Sequence, residues 1–292
     1  MTAKDAYRST SAFMAILLPE LRLFRRHASE PPPVDGELPI PPVEMRELVG
    51  PSAAEAFDHP RGQPVFPSLT REEQYDFVLD FGCGCGRIAR KLAVAAAPMP
   101  KRYVGIDLHA GMIAWASKNL APRLPGFTFV HQDVFNAGFN PNPSAPRTAR
   151  FPAKDKSVSL LLALSVFTHL LQAQVEPYLD EVRRVLRPDG VLVATFFLFD
   201  KGYFPMMQDF QNALYINDTD PTNAAIFDRG WLLASLDARE LRVREVRPPT
   251  TRGYHWELEI EPGRGSVGFP EDVAEFGRQP PPVCSKPAYM ID

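Results

Sequence analysis

Segment 78–87, with the sequence VLDFGCGCGR, restricts the possible folds of this chain more than any other stretch. Its apolar start reaches an acidic residue and then three glycines spaced two apart, Gly82, Gly84 and Gly86, before a helical pattern begins. Glycine has no Cβ, so it readily adopts positive φ and lets the backbone come close to a ligand. The segment therefore predicts the first strand, turn and helix of a nucleotide-binding α/β domain.

The glycine loop by itself leaves the ligand open. Residues 84–89 also satisfy the G-x-G-x-x-G/A pattern of dinucleotide-binding domains. An NAD(P)-dependent oxidoreductase is therefore one interpretation, and the choice depends on the rest of the chain.

The composition argues against several classes of protein. With 292 residues, 45% of them hydrophobic, the chain can form one domain with additions. A net charge of −3 disfavours nucleic acid and anionic membranes as partners. Three cysteines, two of them inside the glycine loop, indicate neither a disulfide framework nor a four-ligand zinc site, so we expect no metal. No apolar run approaches the roughly 18 residues that cross a bilayer, and we expect a cytoplasmic protein.

Proline is plentiful, with 31 residues, and stretches 31–67 and 262–287 are rich in it, so we predict ordered coil or flexible connection there rather than helix or strand. The predicted parts are a helical and proline-rich extension at 1–70, a main domain at 71–262 and a proline-rich tail at 263–292. The apolar face predicted at 12–24 covers the active site or binds another subunit, which leaves a homo-oligomer open.

Within the main domain, short β-branched or aromatic runs alternate with helical patterns. The predicted strands are 76–81, 102–106, 127–131, 157–164, 190–197, 241–247 and 254–260, and the predicted helices are 86–97, 110–120, 173–186 and 228–238. The last two strands lie too close for a crossover helix, so they are predicted to be antiparallel. The predicted fold is α/β: a Rossmann-like seven-stranded, mostly parallel sheet with helices on both faces and an antiparallel C-terminal hairpin.

Segment 80–87, DFGCGCGR, resembles the first motif of class I S-adenosylmethionine-dependent methyltransferases. Later motifs of that family follow in order: YVGIDLHAGMIAWA at 103–116, FVHQDVFN at 129–136, SLLLALSVFTHLL at 159–171 and EVRRVLRPDGVLVATFF at 181–197. The resemblance implies methyl transfer with S-adenosyl-L-methionine as cofactor. A noncatalytic protein that binds an adenosyl ligand remains an alternative of a different class.

The resemblance also implies roles for single residues. It implies that the loop binds the methionine part of the cofactor. Asp107 would bind the ribose hydroxyls, and Asp133 would bind the adenine amino group. Asp107 is equally suited to cap the next helix, and Asp133 to start a turn. The full predicted set is Asp80, Gly82, Cys83, Gly84, Gly86, Asp107, Leu108, Met112, Asp133, Val134 and Ser165.

The acceptor is predicted from a narrower likeness. FGCGCGR, IPPVEMRELVG and ALSVFTHLL resemble bacterial methyltransferases of glycan or secondary-metabolite assembly. This likeness implies a small-molecule or sugar acceptor, with transfer to oxygen.

Transfer to a hydroxyl requires a base, and His169 is the first candidate because it follows the fourth strand near the carboxyl edge of the sheet. The alternative is a histidine that hydrogen-bonds the adjoining helix. His255, beside Tyr254, is a second candidate on a run that equally suits a half-solvated strand. Arg87 is predicted to bind a carboxylate of the cofactor or of an acidic acceptor. The alternative is that Arg87 is a solvated residue of the first helical turn.

Two long connections complete the prediction. Segment 198–227, a substrate-side insertion rich in aromatic residues and methionine, predicts an apolar lid or an accessory helix. Segment 136–149, rich in asparagine and proline, predicts a mobile excursion, most of which leads away from the ligand edge.

Overall fold

The computed structural model describes residues 38–50, 53–249 and 255–270. The predicted apolar face at 12–24, Tyr254 and the tail beyond residue 270 lie outside the described residues. The elements below belong to one compact unit, Ile40–Asp292. Within the described ranges, no helix has the length and apolar character needed to cross a bilayer.

In the described part of the chain, nine strands form one sheet. They are β1 (Val78–Phe81), β2 (Tyr103–Asp107), β3 (Phe127–His131), β4 (Val158–Ala163), β5 (Leu186–Phe199), β6 (Ala213–Tyr215), β7 (Ala225–Asp228), β8 (Leu241–Arg247) and β9 (Trp256–Pro262). The order is β3-β2-β1-β4-β5-β7-β6, and β9 pairs with both β5 and β8. Strands β1 to β5 pair in parallel, whereas β9 is antiparallel to β5 and to β8. The predicted fold class, including its C-terminal hairpin, is confirmed.

Helices connect β1 to β2, β2 to β3 and β4 to β5, as expected for crossovers between parallel strands, and a further helix connects β7 to β8. They are α2 (Arg87–Ala95), α3 (Ala110–Asn119), α4 (Gln172–Val185) and α5 (Arg229–Asp237), each within two residues of its predicted bounds, preceded by α1 (Val43–Leu48). Short 3-10 helices at Ala54–Phe57, Phe167–His169 and Pro221–Asn223 contribute to the site described below.

Strand β4, with the sequence VSLLLA, lies at the centre of the core. All six residues are buried, because β1 and β5 flank the strand and both faces of the sheet are covered. Its run of leucines therefore lacks polar alternation. The chain turns at Ser165, two residues past the strand, at the carboxyl edge where open α/β sheets bind ligands.

The prediction of coil for 31–67 is wrong where the structure describes it, because α1 and the 3-10 helix Ala54–Phe57 form there. Proline precedes α1 without obstructing it. The Pro42 carbonyl accepts hydrogen bonds from the Met45 and Arg46 amides, so the proline occupies the N-cap position. At that end of a helix the missing proline N–H is tolerated.

The 198–227 insertion contains two short strands, β6 and β7, rather than an accessory helix. Strand β5 extends past the end of β9, and its last residues pair in parallel with β7, Phe197 with Ile226 and Phe199 with Asp228. The insertion thus adds two strands to the predicted seven. An apolar segment beside an unpaired strand end satisfies backbone hydrogen bonds by extending the sheet.

Candidate functional site

The glycine loop takes the shape that its sequence predicts. Gly82, Gly84 and Gly86 have φ values of 77°, 54° and 83°. An added Cβ would also lie 2.4 Å from the Val166 side chain at Gly82 and 2.6 Å from Val49 at Gly84. Both the backbone conformation and the close packing therefore exclude a side chain at these positions.

Asp107, at the end of β2, is joined directly to the glycine loop. Its carboxylate accepts hydrogen bonds from the Gly84 amide and the His109 amide, each at 2.8 Å. Burial raises the pKa of Asp107, and these two amides act in the opposite direction. The cap of α3 is His109, whose Nδ1 accepts from the Met112 amide, so Asp107 is not the helix cap considered from the sequence. A carboxylate has about four acceptor positions, so Asp107 can accept further hydroxyl donors.

Asp80 lies deeper than the other carboxylates of the predicted set. Its side chain is buried and accepts a hydrogen bond from the Tyr103 hydroxyl. Burial raises the pKa of Asp80 to about 7, against the effects of Tyr103 and Arg87. Arg87 is half-buried, and the carboxylate of Asp80 opposes the lowering of its pKa by burial. Arg87 is therefore a neighbour of Asp80 rather than a solvated residue.

Several predicted cofactor residues are packed against protein. A Cβ on Gly105 would lie 2.8 Å from the Cys83 sulfur, so this side chain covers β2. Met112 is buried beside Phe57 and Cys85, in a small core to which α1 contributes. Burial also raises the pKa of both loop thiols, which keeps them protonated near neutral pH. Leu108 is half-buried and Val134 is buried, after β2 and β3 respectively.

Asp133 follows β3 and is exposed, and its carboxylate oxygens accept hydrogen bonds from Asn140 at 2.7 Å and Asn142 at 3.1 Å. The early part of segment 136–149 therefore stays at the end of β3. The side-chain amides of the segment hold it against the strand end, since asparagine readily bonds to nearby carboxylates and backbone.

Ser165 and His255 form a pair at the carboxyl edge. The Ser165 hydroxyl lies 3.3 Å from Nε2 of His255, and the Ser165 amide donates to the Thr195 hydroxyl at 2.7 Å. Ser165 is exposed and has a φ of 57°, which is unusual for a residue with a side chain. The His255 ring packs against Phe197 at 4.4 Å between centroids. The sheet thus brings together two residues that are 90 positions apart.

His169 points towards the insertion. Its Nδ1 lies 3.0 Å from the Thr222 carbonyl, which can only accept, so the ring donates there. The ring also packs edge-on against Phe139 at 5.8 Å. Burial lowers the pKa of His169, while the Thr222 and Asn223 carbonyls raise it. His169 therefore resembles the alternative to a base, a histidine held by a hydrogen bond. Its partner lies in the insertion instead of the adjoining helix.

Three residues beside this site were absent from the predicted set. They are Met45 of α1, Val49 directly after α1, and Thr195 in the middle of β5. Their own segments carry no motif that indicates proximity to the loop. Register between distant strands and the path of the N-terminal segment place them there.

Residues 78–190 match the family model of a methyltransferase domain. The matched range begins at β1 and ends within β5, so it contains the glycine loop, Asp107, Asp133, Ser165 and His169. The match favours a methyltransferase over the oxidoreductase interpretation.

Solved methyltransferase structures resemble this chain at low identity. A Methanosarcina mazei SAM-dependent methyltransferase shares 20% identity over 70% of this chain and 99% of its own, with a TM-score of 0.46. The geranyl diphosphate C-methyltransferase of Streptomyces coelicolor, solved with Mg²⁺, geranyl diphosphate and S-adenosyl-L-homocysteine, shares 12% over 65% of this chain and 74% of its own, with a TM-score of 0.45. A putative Haloferax volcanii methyltransferase, solved with the Trm112 activator, shares 15% over 68% and 87%, with a TM-score of 0.46.

The strand order, the positive-φ glycine loop and the carboxylate at the end of β2 suit an adenosyl ligand whose ribose hydroxyls need an acceptor. With the family match over residues 78–190, they identify this part of the chain as a methyltransferase domain that uses S-adenosyl-L-methionine.

Proposed function

We propose that this enzyme methylates a hydroxyl oxygen of a small-molecule or sugar acceptor, with His255 as the base. The observation that carries the proposal is the Ser165–His255 pair, in which an exposed hydroxyl and an imidazole nitrogen lie 3.3 Å apart at the carboxyl edge. An imidazole is suited to remove a proton near neutral pH. A polar pair in a partly open position also suits an acceptor rich in hydroxyls.

In this proposal, the residues that bind the cofactor are those predicted from the sequence: Asp80, Gly82, Cys83, Gly84, Gly86, Asp107, Leu108, Met112, Asp133, Val134 and Ser165. Asp107 accepts the ribose hydroxyls, the loop backbone lies against the methionine part, and Asp133 faces the adenine amino group. When bound, the cofactor supplies an electrophilic methyl group. Cys83 acts through its backbone, because its side chain packs on β2.

In this proposal, the protein aligns the acceptor and removes its proton. His255 takes the proton from the acceptor hydroxyl as the oxygen gains its methyl bond. Ser165, held by Thr195, orients the imidazole. His169, which we predicted first, instead holds the insertion through the Thr222 carbonyl. The insertion covers the acceptor side with Tyr203, Met206 and Phe210, which are exposed.

The test is a screen of hydroxylated, sugar and amine acceptors for methyl uptake, followed by kinetics of His255→Gln and His169→Gln. We expect uptake on a hydroxyl, with kcat lowered about 100- to 10,000-fold in His255→Gln. The ionisation of the base should also disappear from the pH profile of kcat/KM.

His169→Gln is the matched control, since it changes a histidine that faces the insertion. We expect kcat to change several-fold at most while the melting temperature falls. Methyl uptake on amines alone would contradict transfer to oxygen. A greater loss of kcat in His169→Gln than in His255→Gln would return the base role to His169.

A further inference from the structure

Gln172, the first residue of α4, bonds to the insertion in the way a neighbouring strand would. Its side-chain amide donates to the Phe210 carbonyl at 3.2 Å, and its Oε1 accepts from the Asn212 amide at 2.9 Å. In a parallel pair of strands, one residue makes these two bonds, to a carbonyl and to the amide two positions later. The side chain of Gln172 therefore holds 210–212 by a strand-like pair of hydrogen bonds.

The backbone of Gln172 adds a third bond to the insertion. The first amides of a helix have no partner within the helix, and the Gln172 amide donates instead to the Tyr215 hydroxyl at 2.9 Å. Gln172 thus meets residues that follow it by 38 to 43 positions. This contact lies at the carboxyl edge of the sheet, because α4 follows β4 and the turn at Ser165.

The insertion also contacts the strand on which His255 packs. The Phe204 ring packs edge-on against Phe199 at 5.3 Å between centroids, and the His255 ring packs against Phe197 at 4.4 Å. Phe197 and Phe199 are alternate residues of β5, so their side chains lie on the same face of the strand. The start of the insertion and His255 are therefore neighbours along β5.

The insertion exposes large apolar side chains between these two attachments. Segment 203–215 contributes four of those that are exposed in the described ranges: Tyr203, Met206, Phe210 and Tyr215. Met206 and Phe210 are the most exposed, at 88% and 75%. Apolar side chains concentrated in this way commonly mark contact with a ligand or partner. Their position favours the acceptor, because the same segment adjoins His255.

We propose that Gln172 is a positioning residue for the acceptor, and that the acceptor carries an apolar group. By holding 210–212, Gln172 keeps Met206 and Phe210 at the carboxyl edge, where they cover the apolar group while the methylated atom lies near Ser165. This role rests on the proposed function for the side on which the acceptor binds, but not for the base or the methylated atom. Without the bonds of Gln172, fewer molecules have the insertion in place, and the apparent affinity for the acceptor falls by that fraction.

Two probes test for the apolar group: methyl and octyl β-D-glucopyranoside, which share a sugar and differ in the alkyl chain. Each is titrated by calorimetry, below the concentration at which it forms micelles, into the full chain saturated with S-adenosyl-L-homocysteine. We expect the wild type to bind the octyl compound at least about 10-fold more tightly than the methyl compound. Met206→Ser should lose most of this preference, although an 88% exposed side chain contributes little to the fold.

Gln172→Met keeps the length of the side chain and its helix propensity but removes both amide bonds. We expect this variant to bind the octyl compound about 5- to 50-fold more weakly and the methyl compound within about twofold of the wild type. With the acceptor that is methylated most readily in the screen, KM should rise by a similar factor while kcat changes less than about threefold. Hydrogen exchange of the peptide that contains Asn212 should become faster.

Gln208→Met is the matched control. Gln208 is an exposed glutamine of the same insertion, and its bonds to Gln211 use its backbone. We expect its binding of both glucosides, its KM and its hydrogen exchange to equal those of the wild type. S-adenosyl-L-homocysteine should bind all of these variants equally, because no cofactor residue is changed.

Equal binding of the octyl compound by Gln172→Met and the wild type would overturn the role of Gln172, even with faster exchange, because its bonds would then serve stability alone. A wild type that does not prefer the octyl compound would overturn the apolar group. Should Gln172→Met fail to fold, Tyr215→Phe decides, since it removes only the third bond: a reduced preference supports the proposal and an unchanged one contradicts it. Retained kcat in His255→Gln would contradict the proposed base and leave these expectations as they are.

Discussion

Asp80 and Asp107 lie on adjacent strands, yet their surroundings differ. Asp80 is 2% exposed and receives a hydrogen bond from Tyr103, whereas Asp107 is half-buried and accepts two backbone amides. Both carboxylates have raised pKa values because of burial. Asp107 accepts a hydrogen bond from the loop itself, whereas Asp80 is bonded to Tyr103 of β2 and has Arg87 as a nearby charge.

The raised pKa of Asp80 predicts a pH dependence of stability. In the unfolded chain this carboxyl loses its proton near pH 3.8, whereas in the folded protein it keeps the proton to about pH 7. Between these values the folded state binds more protons, so the free energy of unfolding falls as pH rises, by on the order of 4 kcal/mol. Urea unfolding at pH 4 to 8 should show this decline in the wild type and lose it in Asp80→Asn.

Tyr103→Phe is the matched variant, because it removes a donor that favours the charged carboxylate. The pKa of Asp80 should rise further in this variant, so the fall in the free energy of unfolding should continue to higher pH. If Asp80→Asn and the wild type declined in parallel, the buried carboxyl would not be the group responsible.

At the scale of elements, the start of α3 determines the position of Asp107. His109 accepts from the Met112 amide through Nδ1 at 3.3 Å, and its own amide donates to Asp107. One residue therefore begins the helix and holds the carboxylate. Histidine is an uncommon cap, and for this reason the sequence pointed to Asp107 as a possible cap instead.

His109→Ala should lower the free energy of unfolding by about 1 kcal/mol through loss of this cap. His109→Asn keeps a side-chain acceptor and should lose less than half as much. Urea unfolding followed by tryptophan fluorescence measures both, since Trp115 lies within α3. Wild-type stability of His109→Ala would show that the His109 ring is dispensable as a cap.

At the scale of the whole molecule, a buried charge joins the C-terminal hairpin to the segment before β1. Glu259 of β9 is fully buried and accepts hydrogen bonds from Ser68, Arg244 and Arg247. Burial acts to raise the pKa of Glu259, but the three donors prevail and lower it. The ionised carboxylate thus connects segments about 190 residues apart.

Glu259→Gln should lower the free energy of unfolding by about 3 kcal/mol, because it leaves two arginines next to a buried neutral amide. Glu261→Gln is the control: it pairs with Arg242, which is 42% exposed, and more distantly with Arg244 at 3.4 Å, and the expected loss is about 0.5 kcal/mol. Chemical denaturation at neutral pH measures both. Losses of the same size would show that burial of Glu259 adds nothing to the ion pairs.

The order of elements in the main domain followed from local pattern. The run of leucines in β4 and the short gap before β9 predicted a buried parallel strand and an antiparallel end, and both are confirmed. The insertion was misread because three- and four-residue strands contain too few positions to show alternation. The prolines near α1 likewise led to a prediction of coil, although Pro42 occupies the N-cap of a helix, where proline is permitted.

By itself, the sequence determined the α/β class, the glycine bend and the candidate carboxylates, since each depends on neighbours within a few positions. Tertiary structure decided which distant side chains meet. It paired Ser165 with His255, turned His169 to the Thr222 carbonyl and placed Val49 beside the glycine loop. Such contacts depend on strand register and on the path of connecting segments, which are set by burial of the whole core rather than by local propensity.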